Sequence, residues 1–208
     1  SYHPTDHRLA AGGTYDVVEL WNVVNPNAHI LSGHNGTIHS VRFSPDGSLI
    51  ASGGADDVIY LTASETYVRQ ASLEGHTADV KSVAFHPDGH LLASGGEDDT
   101  VRLWDGVTGE AVNTLRGHTD RVNAVLFHPD GRTLFSASHD QTVRFWQADS
   151  GALLKVVGVG NAVESMAITP DGRTLLTGLN NGQRKLWDAR SGVLLAEGDA
   201  YQLEVWAV

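Results

Sequence analysis

The 208-residue chain has no cysteine and a single methionine, Met166. Without cysteine there is no disulfide scaffold, no thiolate zinc site and no cysteine nucleophile, and the redox compartment cannot be read. Positive charge is scarce: 14 Lys and Arg stand against 25 Asp and Glu, a formal net charge of −11. Such a chain repels a phosphate backbone, so nucleic acid is not an expected partner. No apolar run approaches the ~18–20 residues of a membrane-spanning helix, and no membrane partner is expected. Neither an initiating Met nor a charged-then-apolar leader opens the sequence, so a trimmed, processed or excised piece is the expectation. Any address is then lost, with the cytoplasm as the default setting. What remains is globular in composition, 41% hydrophobic and 19% charged, and the length fits about one domain. Glycine is high, at 23 residues, which points to many tight turns.

Proline is also scarce, but it is evenly placed. Five of the six prolines are Pro4, Pro45, Pro87, Pro129 and Pro170, at intervals of 41, 42, 42 and 41 residues. Four of the five open a Pro-Asp-Gly turn, in which Pro presets φ, Asp bonds nearby backbone and Gly takes a positive φ. Gly33-His34, Gly75-His76 and Gly117-His118 follow the same ruler, as do Trp21, Trp104, Trp146 and Trp187, with Thr62 in the remaining tryptophan slot. Three markers on one period of about 42 residues predict a repeat architecture.

Within one period, the segment 80–115 breaks into four short apolar, β-branched or aromatic pieces: Val80–Phe85, His90–Ser94, Thr100–Trp104 and Ala111–Leu115. These are strand positions a to d. None has sustained helical periodicity. Four antiparallel strands per period make one propeller blade, so the expected class is an all-β propeller. Residues 1–208 form one domain of five units, about 1–43, 44–85, 86–127, 128–168 and 169–208. Since the chain opens at strand b, a C-terminal strand within 199–208, ending Trp206-Ala207-Val208, is expected to close onto the first blade. Tyr2 falls in the same slot as Phe85, and Val208 competes for it. Two arrangements stay open: a closed ring of five blades, or a five-repeat part of a larger propeller, such as a seven-bladed one.

The stretches GHTADVKSVAFHPDGHLLASGGEDDTVRLWD (75–105) and GHTDRVNAVLFHPDGRTLFSASHDQTVRFW (117–146) resemble WD-repeat (WD40) proteins. The likeness covers essentially the whole chain. It implies a buried polar network in each blade: His before strand a, Ser or Thr in strand b, Asp in the b–c turn and Trp in strand c. Two blades carry the full set, His76, Ser94, Asp98 and Trp104, and His118, Ser136, Asp140 and Trp146. A third has His34, Ser52 and Asp56, with Thr62 in the Trp slot. The last unit keeps Thr177 and Trp187, has Asn181 for Asp and Val159 for His, while the first keeps only Trp21. Buried polar groups must satisfy one another, which fixed spacing would ensure. Stability is therefore expected to be highest in the central blades.

A His-Ser-Asp set also resembles a hydrolase triad, but a triad is a single constellation at a pocket. A set that recurs with the repeat and decays at the ends reads as structural. Among the eleven histidines, His3, His86 and His128 precede turn prolines. No His-x-His or His-Glu-x-x-His spacing is present, and neither a metal site nor a cofactor is expected.

Resemblance further implies protein or peptide binding on the face made by the d–a and b–c loops. The candidate contacts are Asn35, Thr37, Asp79, Glu97, Thr119, Asp120, Arg121, His139 and Asn180. Asp79, Glu97 and Asp120 bias that face toward a basic partner. A carboxylate-dependent propeller enzyme is the weaker alternative. It needs paired carboxylates on the central channel, where Ile38, Ser40, Val80, Ser82, Val122 and Ala124 are expected and Glu164 and Glu204 are the only acids. An engineered or amplified scaffold without a selected ligand is the other alternative.

Overall fold

Short runs rich in β-branched and aromatic residues, cut by Gly, Asp and Pro turns, form nineteen strands and no helix among the described residues. The computed structural model describes residues 1–22 and 28–198. In chain order the strands are β1 Arg8–Gly12, β2 Val17–Asn22, β3 His29–Ser32, β4 Ile38–Phe43, β5 Leu49–Gly54, β6 Ile59–Ala63 and β7 Arg69–Leu73. There follow β8 Val80–Phe85, β9 Leu91–Gly96, β10 Val101–Asp105, β11 Ala111–Leu115, β12 Val122–Phe127, β13 Thr133–Ser138, β14 Thr142–Gln147 and β15 Leu153–Gly158. The last are β16 Val163–Ile168, β17 Thr174–Leu179, β18 Arg184–Asp188 and β19 Leu194–Gly198.

Consecutive strands pair antiparallel into five sheets: β1–β3, β4–β7, β8–β11, β12–β15 and β16–β19. The register repeats, with Val41 opposite Ser52, Val83 opposite Ser94, Val125 opposite Ser136 and Met166 opposite Thr177. Four sheets have the expected four strands, while the first has three. Its fourth place is begun by Tyr2, which bridges to Leu9 just as Phe85 pairs with Leu92. The expected closing strand at 199–208 lies outside the described residues.

Each sheet packs on the next through its innermost strand: β1 against β4, β4 against β8, β8 against β12 and β12 against β16. No comparable packing joins β16 to β1 among the described residues. The seams are built alike. A Cβ on Gly53 would stand 2.6 Å from Val80, and one on Gly95 2.6 Å from Val122, so only glycine lets these strands approach. Ala137 holds the equivalent place in the fourth sheet and shares a core with Val163.

Inner strands differ from the expectation. Ile38, Val80 and Val122 do not line an open channel; they are buried in the cores between sheets. Ser40 and Ser82 are buried too, accepting the Val83 and Val125 N–H of the next sheet at 3.1 Å. The reason is a register shift at one place in every inner strand: Ile38/Ser40, Val80/Ser82, Val122/Ala124 and Val163/Ser165. The extra residue of each bulge, His39, Lys81, Asn123 or Glu164, is less buried than the residue before it and makes contacts from sheet to sheet.

Candidate functional site

In the third sheet the four marker residues meet. Trp104 Nε1 donates to Ser94 Oγ at 2.9 Å, and Ser94 Oγ lies 2.7 Å from His76 Nε2. His76 Nδ1 is 2.9 Å from the Asp98 carboxylate. The carboxylate can only accept, so Nδ1 carries the proton, Nε2 accepts from Ser94, and the hydroxyl accepts from the indole. Every donor has a taker. The fourth sheet repeats the chain, with Trp146 to Ser136 at 2.8 Å, Ser136 to His118 at 2.8 Å and His118 to Asp140 at 2.7 Å. Ser94 and Ser136 are completely buried. These relays tie the d–a loop, strand b, strand c and the b–c turn together.

Elsewhere the set is partial. His34 reaches Ser52 at 2.8 Å and Asp56 at 2.9 Å, but Thr62 supplies no indole. Trp187 donates to Thr177 Oγ1 at 3.0 Å. Asn181 is not brought to that pair; it bonds the Gln183 side chain and backbone at 2.9 and 3.0 Å. Trp21 is 40% exposed, and its indole N–H donates to Glu19 two residues back.

The relay aspartates are strongly acidic. Burial pushes the Asp98 carboxyl up, but hydrogen bonds from His76, Thr100 and the Thr77 N–H outweigh it and hold the group well below the usual carboxylate range. Asp140 is held down in the same way by His118, Thr142 and Thr119. Asp56 follows, with burial opposed by the Asn35 N–H and His34.

At this end, one backbone bond in each four-stranded sheet joins the d–a loop to the b–c turn: Ala55 N to Thr37 O, Glu97 N to Asp79 O, His139 N to Arg121 O, and Asn180 N to Ala162 O, all 2.9–3.0 Å. The nine expected contact residues therefore share one end of the sheets. Asn35, Glu97, Thr119 and Asn180 are exposed there, while Thr37, Asp79, Asp120, Arg121 and His139 are half-buried. The acids are partly matched within the chain. Asp79 pairs with His39 at 3.0 Å, Lys81 with Glu97 at 3.2 Å, and His139 with Asp120 at 3.3 Å.

Two acids on this face escaped the sequence reading. Asp57 and Asp99 sit at the tips of the b–c turns in left-handed conformation, φ 64° and 61°. Burial and then the neighbouring carboxylates push both upward: Asp79, Asp56 and Asp98 act on Asp57, and Asp120, Asp98 and Asp140 on Asp99. The signal was the doublets Asp56-Asp57 and Asp98-Asp99, whose second members have no partner in the repeat motif.

At the opposite end, a cleft of about 710 Å³ between the fourth and fifth sheets is lined by Asp130, Asp171 and Asp188 among others. Each of these carboxylates caps its own turn, bonding Arg132 N, Arg173 N and Ser191 N.

A family model described as "WD domain, G-beta repeat" matches residues 26–61, 67–105 and 109–147, more than half of the sequence. The chain belongs to the WD-repeat family. This WD-repeat chain is 40% identical over 62 residues to "Small ribosomal subunit protein RACK1y" of Oryza sativa subsp. japonica, covering 29% of this chain and 18% of that protein. It is 39% identical over 71 residues to "Serine-threonine kinase receptor-associated protein" of Gallus gallus, covering 32% and 20%. "Protein Mut11" of Chlamydomonas reinhardtii is 51% identical over 41 residues, covering 20% and 11%. The chain thus spans a fifth or less of these relatives.

Proposed function

We propose that this WD-repeat chain is a non-catalytic scaffold that binds a basic protein segment across the face made by its d–a and b–c loops. What carries the reading is the crowding of carboxylates there. Asp57 and Asp99 are pushed toward their protonated forms by burial and by acids of the same and the next sheet. A lysine or arginine docked among them relieves that repulsion. Structural use of the His-Ser-Asp sets is supported by the complete burial of Ser94 and Ser136, whose oxygens are committed to indole and imidazole. A nucleophile must instead be reachable by substrate.

The test is binding of a fluorescent Lys/Arg-rich peptide, read by polarisation at two salt concentrations. The expected result is saturable binding that weakens with salt and falls severalfold in the D57N/D99N double variant. Asparagine suits the left-handed tips, so the turns are retained. A companion variant replaces Asp79, Glu97 and Asp120 with Ala and also weakens binding. Unchanged affinity in both variants overturns the proposed face.

For the architecture, Tyr2 opposite Leu9 favours an open five-sheet array, part of a larger ring, over a closed five-bladed one. A solution-scattering envelope tests this: a crescent supports the array, and a compact disc refutes it.

A further inference from the structure

We infer that His86, Asp88 and His90 form a binding site for a divalent transition-metal ion of the zinc type. The three donors bracket one Pro-Asp-Gly turn, between β8 and β9, at the end of the sheets away from the loop face. His86 is buried, and its Nε2 lies 2.8 Å from the carbonyl oxygen of Gly131 in the next sheet's turn. A carbonyl only accepts, so Nε2 holds the proton and Nδ1 presents a lone pair. That Nδ1 faces Asp88 Oδ1 at 2.6 Å. His90 meets the same Asp88 oxygen through its Nδ1, and its Nε2 lies 3.5 Å from the Asp149 carboxylate in the turn between β14 and β15.

Two imidazole lone pairs and a carboxylate oxygen thus converge, all within 4.8 Å of one another. The His90 backbone N–H donates to Asp88 Oδ1 at 3.0 Å and fixes that oxygen between the two rings. His86 Nδ1 accepts only a long bond from the Asp88 N–H, at 3.3 Å, as His128 does from Asp130 in the sister turn. What this turn adds is a second imidazole, so that a metal can engage two nitrogens and a carboxylate oxygen at once. A ligating imidazole should donate its other N–H to a carbonyl or carboxylate. His86 does so to Gly131, and the Asp149 carboxylate stands 3.5 Å from His90 Nε2, an ion-pair distance that a small ring rotation would close. Bonds of about 2.0–2.2 Å to zinc need the donors somewhat further apart. The Asp88 side chain, 62% exposed, is free to swing outward by that amount. One coordination position is then left to solvent.

Nor does the fold require this cluster. The position of His90 is Ser48, Arg132 and Arg173 in the other Pro-Asp-Gly turns. The first unit has His3 and His7, but Thr5 stands at the Asp88 position, and Asp6 is paired with Arg8 at 2.6 Å. Sequence patterns for zinc did not flag the site because the spacing is His-x-x-x-His across a turn rather than along a strand or helix.

The test titrates ZnCl2 into the tag-free chain by calorimetry, with Co²⁺ absorption as a second readout. One saturable equivalent is expected, with a visible Co²⁺ band from a nitrogen- and oxygen-ligated ion. H90R, which installs the residue that two sister turns already carry, should weaken zinc about tenfold or more while the melting curve keeps its cooperativity. D88N should do the same, and D130N in the sister turn should leave zinc unaffected. No saturable binding at millimolar zinc, or binding that H90R and D88N leave unchanged, overturns the site.

Discussion

His86 and Gly131, 45 residues apart, are joined by a 2.8 Å hydrogen bond across the seam between the third and fourth sheets. The same staple links His3 to Gly47 at 3.0 Å and His128 to Gly172 at 2.9 Å. At the seam between the second and third sheets it is missing, because Ser44 stands where the histidine would be. There, a Cβ on Gly89 would meet only Pro45, at 3.8 Å, whereas those on Gly47, Gly131 and Gly172 would meet an imidazole. S44H should make that staple but gives up the bond that the Leu49 N–H donates to Ser44 Oγ at 2.9 Å, so the net gain should stay below about 1 kcal/mol. The check is thermal unfolding, with a midpoint expected to rise by less than roughly 4 °C. A lowered midpoint would show that the lost bond outweighs the staple.

Ser94 serves two partners and Ser52 only one. In S94A, the Trp104 N–H and His76 Nε2 are both left buried without a partner, at ~1–3 kcal/mol for each unsatisfied group. S52A strands only His34. Urea unfolding should therefore find S94A the more damaging, and equal losses would mean that the indole bond contributes nothing.

Acid should weaken the fold through Asp98 and Asp140. Their carboxyls titrate lower in the folded chain than in the unfolded one, where ~3.9 is ordinary. The stability they confer is fully present above the unfolded value and is lost as pH falls through and below it. Asp57 and Asp99 are raised instead and oppose this trend, but they are more accessible to solvent. Denaturant midpoints should fall between pH 5 and pH 3. In D98N/D140N, already destabilised at pH 7, the acid slope should be shallower.

Protection against hydrogen exchange should be graded along the chain. β9 is buried at every residue and β13 nearly so, whereas β19 is exposed throughout and β16 at half of its residues. The slowest amides are expected in β9 and β13, and the fastest in β3 and β19. Uniform protection would contradict a stack stabilised sheet by sheet.

Much of this was legible because a repeat reports each position several times. The Pro-Asp-Gly turn, the Gly-His pair and the tryptophan each recur at one spacing, so register and strand order followed from them. Asn181 was misleading because it resembles Asp in shape, yet Val159 leaves it no imidazole to meet. The bulges were hidden. Val80-Lys81-Ser82 looks like plain alternation, and only the packing of Val80 and Val83 on Gly53 shows that Lys81 is the extra residue. Asp57 and Asp99 were overlooked for a different reason: their significance arises from acids on a neighbouring sheet, and no local pattern records that.

The glycine seams carry one last implication. Gly178 occupies the place of Gly53 and Gly95, and among the described residues a Cβ there would meet only Ser165 of its own sheet. The last sheet therefore carries the same device that receives Val80 and Val122 at the interior seams, and a strand with branched residues at the Val80 and Val83 positions is the shape it accepts.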